Sequence, residues 1–223
     1  MFNNLVRNNM NMSEHNNIET SASAMNLINK PKTARGRRTL ERILKAAEEL
    51  FSRKGFYNTK ITEIVESANV ASGTFYIYFP DKKSIFRYLM EELNHALRKE
   101  IVEATIDCKN RYDEERIGFE TFFNFVNKHN GLFRIVWDAQ FVIEDAFMEY
   151  YENFAQHYLV GIKKAQKEGE VKDYDPTTLV YCLMGVTNFI ALKWLIFEKK
   201  PVPKKVLEDV MKIISEGAFN LPE

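Results

Sequence analysis

The stretch Ile61-Thr-Glu-Ile-Val-Glu-Ser-Ala-Asn-Val-Ala-Ser-Gly-Thr-Phe-Tyr-Ile-Tyr-Phe-Pro80 decides the fold. Ile61, Ile64, Val65 and Ala68 recur at the spacing of one helix face, and Thr59 stands in front of them as an expected N-cap. Asn69 tolerates the left-handed conformation of a tight turn. A second short helix is expected from Ala71 to Phe79, because the residue before Pro80 is driven out of helical geometry. Two short helices joined by a tight turn form a helix-turn-helix. On the second, Phe75 and Phe79 share one face, which together with Val70 points into a small core. Gly73 and Ile77 lie opposite, flanked by Thr74 and Tyr76. Glycine, threonine, isoleucine and tyrosine make an odd solvent face but suit a DNA major groove. Glycine admits close backbone approach, hydroxyls reach base edges or phosphates, and isoleucine packs on a thymine methyl.

Upstream, Leu40, Ile43, Leu44, Ala47, Leu50 and Phe51 follow an amphipathic helical period, with Thr39 as the expected cap and Gly55 as the stop. Before them runs a basic lead-in, Pro31-Lys-Thr-Ala-Arg-Gly-Arg-Arg38. Residues 1–30 are rich in asparagine and lack an apolar period, so a disordered arm is expected there. Downstream, Asp81 caps a long helix carrying Ile85, Leu89, Leu93, Ala96 and Ile101. Further helices are expected near 115–128, 131–143, 144–168, 175–198 and 203–217, punctuated by Gly169, Pro176, Pro201 and Pro203. No useful strand-period stretch interrupts them, so the fold class is all-α. The expected division is a three-helix helix-turn-helix domain over 31–84 and a second helical domain over 85–223.

Charge supports this division. Residues 31–87 hold 12 lysines and arginines against 6 acids, a net of +6, whereas the whole chain is neutral. Only the amino-terminal part is suited to a polyanion. The expected DNA-facing set is Arg35, Arg37, Arg38, Thr59, Lys60, Ser72, Gly73, Thr74, Tyr76, Ile77 and Lys82.

The runs Arg38–Phe51, Gly55–Thr59, Ile61–Val70 and Ala71–Lys83 closely resemble the DNA-binding domain of TetR-family repressors, with Gly55, Thr59, Gly73, Tyr76, Phe79 and Lys82 in register. The resemblance covers about fifty residues. It implies a dimer that reads a palindromic operator with paired recognition helices, and a variable ligand-sensing domain. It also implies that Lys82 grips a phosphate, in keeping with the anion preference of a helix start. Three positions depart from the pattern: Ala71 replaces a frequent serine, Ser72 a frequent lysine, and Ile77 a frequent arginine or histidine.

Aromatic residues crowd the carboxy-terminal half, from Leu132-Phe-Arg-Ile-Val-Trp-Asp-Ala-Gln-Phe141 to Tyr158. They suit a helical core, and equally an apolar pocket with Gln140, His157 and Asn188 as polar anchors. The candidate ligand-binding residues are Phe122, Phe133, Trp137, Phe141, Tyr151, Phe154, Tyr158, Met184 and Asn188. This stretch resembles the sensor domain of acyl-CoA-responsive members of the family, which implies an acyl-type or other extended apolar effector. On the penultimate helix Leu179, Leu183, Val186, Ile190 and Trp194 form one stripe and Tyr181, Met184, Asn188 and Leu192 another. One is expected to face the chain's own core and the other a partner copy.

Other classes are disfavoured. There is no Gly-rich phosphate loop, HExxH or GxSxG, so an enzyme is not expected. Cys108 and Cys182 and the four histidines show no metal-ligand spacing, and the cysteines are expected to be buried thiols. No cofactor is expected. With no apolar run near 18 residues and no secretory layout, the expected place is the cytoplasm, without a membrane partner. A DNA-binding architectural or cell-division factor of the same fold, without an effector, is the alternative.

Overall fold

The computed structural model describes residues 29–216. Of the expected disordered arm, all but Asn29 and Lys30 lies outside the described residues. Among the described residues there are nine helices and no strand: α1 Ala34–Lys54, α2 Ile61–Ser67, α3 Ser72–Tyr78, α4 Lys82–Thr105, α5 Arg111–Lys128, α6 Asn130–Val142, α7 Glu144–Lys167, α8 Pro176–Ala191 and α9 Lys204–Glu216. Beyond Ala191, α8 continues through a wider π-type turn, Leu192–Phe197.

The helix starts follow side-chain chemistry. Thr33, Asp81, Asn110 and Asp175 each accept a backbone N–H three residues on, at 2.7–3.0 Å, and Pro176 occupies the first turn of α8. Gly55 (φ 77°), Asn69 (φ 50°) and Gly169 (φ 75°) turn the chain where left-handed geometry is needed. One start differs from expectation. Helix α1 begins at Ala34, not near Leu40, and Thr39 lies inside it, donating to Arg35 O at 3.0 Å. The first turns of α1 carry no apolar residue larger than Ala34, so hydrophobic period could not reveal them. Arg35, Arg37 and Arg38 are therefore helical residues.

The chain divides into two compact units. The first comprises residues up to Leu93 together with Arg134–Phe147, and the second comprises Asn94–Phe133 with the residues from Met148 on. This division falls within α4, not at residue 84. The first half of that helix is buried with α1–α3 through Ile85, Phe86, Leu89 and Met90. In the first unit α1 packs on α2 and α2 on α3. Phe51, Phe56 and Phe86 meet at centroid distances of 5.1–5.8 Å, and Phe79 meets Tyr88 edge-on at 5.6 Å. The returning segment is joined to this unit by polar contacts. Arg134 donates to Ser52 O (3.2 Å), Tyr57 OH donates to Phe141 O (2.9 Å), and Arg87 pairs with Asp145.

In the second unit α5 packs on α8 and α9. Phe119, Phe122, Phe123, Phe125, Leu159, Ile162, Leu183, Val210 and Met211 fill its core. The stripe that α8 buries is Val180, Leu183, Met184, Thr187 and Ala191, continued by Leu195. This replaces both expected stripes, since Leu183 and Met184 face the same core. A helix apolar nearly all round carries no period that tells inside from outside. The run Pro176–Phe197 is also long and apolar enough to cross a bilayer by length and composition, which counting uninterrupted apolar residues missed. Cysteine burial differs too: Cys182 is exposed, and Cys108 is half-buried in the turn before α5.

An ionic cluster is buried in the same unit. Arg111 Nε donates to Glu115 at 2.7 Å and Nη1 to Glu114 at 3.1 Å, while Tyr158 OH donates to the other Glu115 oxygen. Gly161 faces the guanidinium so closely that a Cβ there would overlap Arg111 Nη1. Burial pushes the Glu115 carboxyl above its ordinary range, against the opposing pull of Arg111. Arg111→Leu leaves that carboxyl uncompensated and should cost about 3–5 kcal/mol in urea unfolding at neutral pH. The folded state then binds the Glu115 proton more tightly than the unfolded chain does. Stability of the variant should therefore fall as pH rises through the folded-state value and recover on acidification. A deficit that stays constant between pH 5 and 8 would contradict this.

Candidate nucleic-acid interface

The recognition face is built by α3. Phe75, Tyr78 and Phe79 are buried beneath it, whereas Tyr76 and Ile77 are 51% and 49% exposed and Gly73 is open to solvent. A Cβ added at Gly73 would meet no atom within 4 Å. Ser72 is exposed and Thr74 half-buried. Phe75 and Phe79 are buried as helical spacing predicts, with Tyr78 as an additional buried residue, whereas Val70, expected in the core, is only half-buried. The hydroxyl of Tyr78 donates to Gly36 O at 3.2 Å and joins α3 to the first turns of α1.

Between those turns and α3 lies a cleft of about 410 Å³, lined by Thr33, Arg35, Gly36, Thr39, Arg42, Asn69, Val70, Thr74 and Tyr78. Arg35, Thr39 and Arg42 recur at helical spacing along one face of α1. Sequence reasoning missed Arg42 because it started the helix too late to align it with Arg35. Its guanidinium lies 3.5 Å from Asn69 O and pairs with no acid among the described residues. Arg37, Arg38 and Lys60 are exposed.

Two expected contacts are placed differently. Thr59 is fully buried and donates to Gly55 O at 2.9 Å, so its hydroxyl faces inward. The start of α2 is capped by Glu63 instead, whose carboxylate accepts Lys60 N at 3.0 Å. Lys82 donates to Phe56 O (2.8 Å) and Thr59 O (2.7 Å) and stands 4.2 Å from the centroid of the Phe56 ring. Partial burial lowers its basicity. An ammonium has three N–H groups, so one is left for an outside acceptor.

The candidate ligand residues are spread over both units. Trp137 and Phe141 belong to the first, where Phe141 is 75% exposed. In the second, Phe122, Phe133 and Met184 are buried in the core, and Tyr151 and Phe154 are half-buried. Burial pushes the Tyr151 hydroxyl up to about 12. Tyr158 is bound into the Glu115 cluster, and Asn188 donates back to Met184 O at 2.8 Å. Of the expected polar anchors, Gln140 donates to Trp137 O, and His157 receives Arg98 at 3.0 Å while its Nδ1–H donates to Asn153 O.

An exposed recognition helix on an aromatic core, edged by arginines, defines a helix-turn-helix DNA-binding regulator. Residues 43–89 match the family of bacterial regulatory proteins, tetR family. The uncharacterized HTH-type transcriptional regulator YdgC of Bacillus subtilis is 25% identical over 192 residues, covering 82% of this chain and 94% of that protein. Two solved structures share the fold. One is the transcriptional regulator FadR from Bacillus subtilis in complex with stearoyl-CoA (TM-score 0.72, 16% identity, 81% of this chain and 100% of that one). The other is the fatty acid degradation regulator FadR from Bacillus halodurans (TM-score 0.72, 15% identity, 83% and 96%). The match covers the DNA-binding stretch, residues 43–89, and the curated relatives are named as HTH-type transcriptional regulators.

Gly73 offers a test in which folding and binding separate. Because a side chain there meets open space, Gly73→Val should leave thermal stability within about 0.5 kcal/mol of the parent. It should nevertheless abolish sequence-specific DNA binding in a gel-shift titration, by holding the helix off the base edges. Retained affinity would show that Gly73 does not face the groove.

Proposed function

We propose that this protein is a repressor that binds a palindromic operator as a homodimer and releases it when an extended apolar effector of the acyl-CoA class enters its carboxy-terminal helices. The observation that carries the DNA half is the α3 face, where Gly73, Tyr76 and Ile77 stand open above buried Phe75, Tyr78 and Phe79. In this reading Ile77 packs on a thymine methyl, and Ser72, Thr74 and Tyr76 meet base edges or phosphates. Arg35, Arg37, Arg38 and Lys60 neutralise phosphates, joined by Arg42 and the remaining N–H of Lys82. Repression and release take place in the cytoplasm.

The dimer half rests on α8. Its outward side leaves Tyr181 47%, Phe189 65% and Phe197 69% exposed, and Ile213 of α9 is 54% exposed. Rings aligned along one helix of a protein in water favour cover by a second copy. The same cover accounts for a helix hydrophobic enough to span a bilayer without needing a membrane. The effector half draws on the many rings of the second unit and on a fold neighbour named for its stearoyl-CoA complex.

Selection of duplexes from a random pool should return an inverted repeat, and long-chain acyl-CoA should dissociate the complex. Recovery of unrelated sequences would overturn operator recognition, and indifference to acyl-CoA would overturn the effector class. The dimer has its own test. Phe189 is exposed in the protomer, so Phe189→Asp leaves each copy folded while placing a charge in the interface. Sedimentation equilibrium should show dimerisation weakened by about 2 kcal/mol or more, roughly 30-fold. A dimer as tight as the parent's would place the interface elsewhere.

A further inference from the structure

The described residues just ahead of α1 are held against the end of α3. Asn29 Nδ2 donates to Ile77 O at 2.9 Å, across 48 residues of sequence. Ile77 lies in the last turn of α3, where carbonyls have no partner within the helix. Asn29 therefore caps the recognition helix from outside, beside the residue whose side chain looks out from the reading face. Two residues on, half-buried Pro31 packs on the first turn of α1, its Cβ 3.2 Å from where a Cβ of Gly36 would stand. The Tyr78 hydroxyl reaches the Gly36 carbonyl from the α3 side. The segment is thus fixed at both ends, and Lys30 and Lys32, beside those fixed points, are exposed. Neither lysine pairs with an acid among the described residues.

We propose that Asn29–Lys32 is a second DNA-contacting element, carried against the end of the recognition helix, which lays Lys30 and Lys32 on the phosphates bordering the base pairs that Ile77 faces. This rests on the DNA-binding reading above and adds to it a segment outside the helix-turn-helix. The physical argument is one of pre-organisation. A free lysine loses rotamer and backbone freedom when it grips a phosphate, whereas a backbone already held by Asn29 and Pro31 has lost much of it beforehand. Asn29 also couples the segment to base readout. The carbonyl it caps belongs to Ile77, so a shift of the segment shifts the end of the reading helix.

The test is operator affinity of the full chain as a function of salt, for the parent, Lys30→Ala/Lys32→Ala, and a control of equal charge change on α7, Lys163→Ala/Lys167→Ala. Each phosphate contact contributes roughly 0.9 to the slope of log affinity against log salt. Each protomer of the dimer brings its own arm, so the arm variant removes four contacts; it should lose roughly 3.6 units of slope and bind on the order of a hundredfold more weakly at moderate salt, with an unchanged unfolding midpoint. The control should match the parent. Asn29→Ala, which removes the tether and keeps both charges, should lie between the parent and the double variant. An arm variant indistinguishable from the parent, or a control that falls as far, overturns the proposal while leaving operator recognition standing. A parent that binds no duplex in a salt-dependent way overturns the DNA-binding reading itself.

Discussion

The ammonium of Lys82 is the contact on which the geometry of the reading helix depends. It binds the carbonyls of Phe56 and Thr59 and lies over the Phe56 ring. The first residue of α4 is thereby tied to the turn between α1 and α2. Helix α3 ends only a few residues earlier, at Tyr78, so its far end is held by the same anchor. A charge in partly buried surroundings is costly unless it is hydrogen-bonded, and here two carbonyl dipoles and a ring face supply the compensation. Thr59 closes the arrangement from beneath, its hydroxyl returning to Gly55 O at the left-handed turn that ends α1.

Most of the fold was legible because local signals agreed with the tertiary outcome. Proline and left-handed residues marked helix ends, Asp81 capped the long fourth helix, and the phenylalanines of α3 sat at the spacing that buries them. The start of α1 was not legible. Its first turns bury no large apolar side chain, and a helix announces itself by period only where an apolar side is buried. Thr59 shows a second kind of ambiguity. A threonine before a helix is a plausible cap, but a fully buried one finds a closer acceptor behind it, and Glu63 supplies the cap from within α2.

The exposed and buried sides of α3 followed the expected spacing because they lie on one short helix, where residue spacing alone determines direction. The carboxy-terminal half gave no such purchase. Phenylalanine, tyrosine and methionine serve equally in a packed core and in a ligand cavity, so Phe122, Phe133 and Met184 look the same in sequence whichever they line. The buried cluster of Arg111, Glu115 and Tyr158 was invisible for a related reason. An arginine and glutamate four residues apart resemble the solvated pairs seen elsewhere on these helices, and only the tyrosine from α7 reveals that this one lies inside.

The chain enters the DNA-reading unit twice, first through α1 to the middle of α4 and again from Arg134 to Phe147. This has a consequence for biosynthesis. A ribosome releases the amino-terminal helices well before the returning segment exists, and until that segment has emerged, Asp145, Arg134 and Phe141 are not there to meet Arg87, the Ser52 carbonyl and the Tyr57 hydroxyl. The nascent helix-turn-helix is thus an unfinished unit, completed only after the intervening residues 94–133 have been made. Premature termination anywhere before that point yields a fragment without its closing segment, so a truncated product is poorly equipped to occupy an operator in place of the intact regulator.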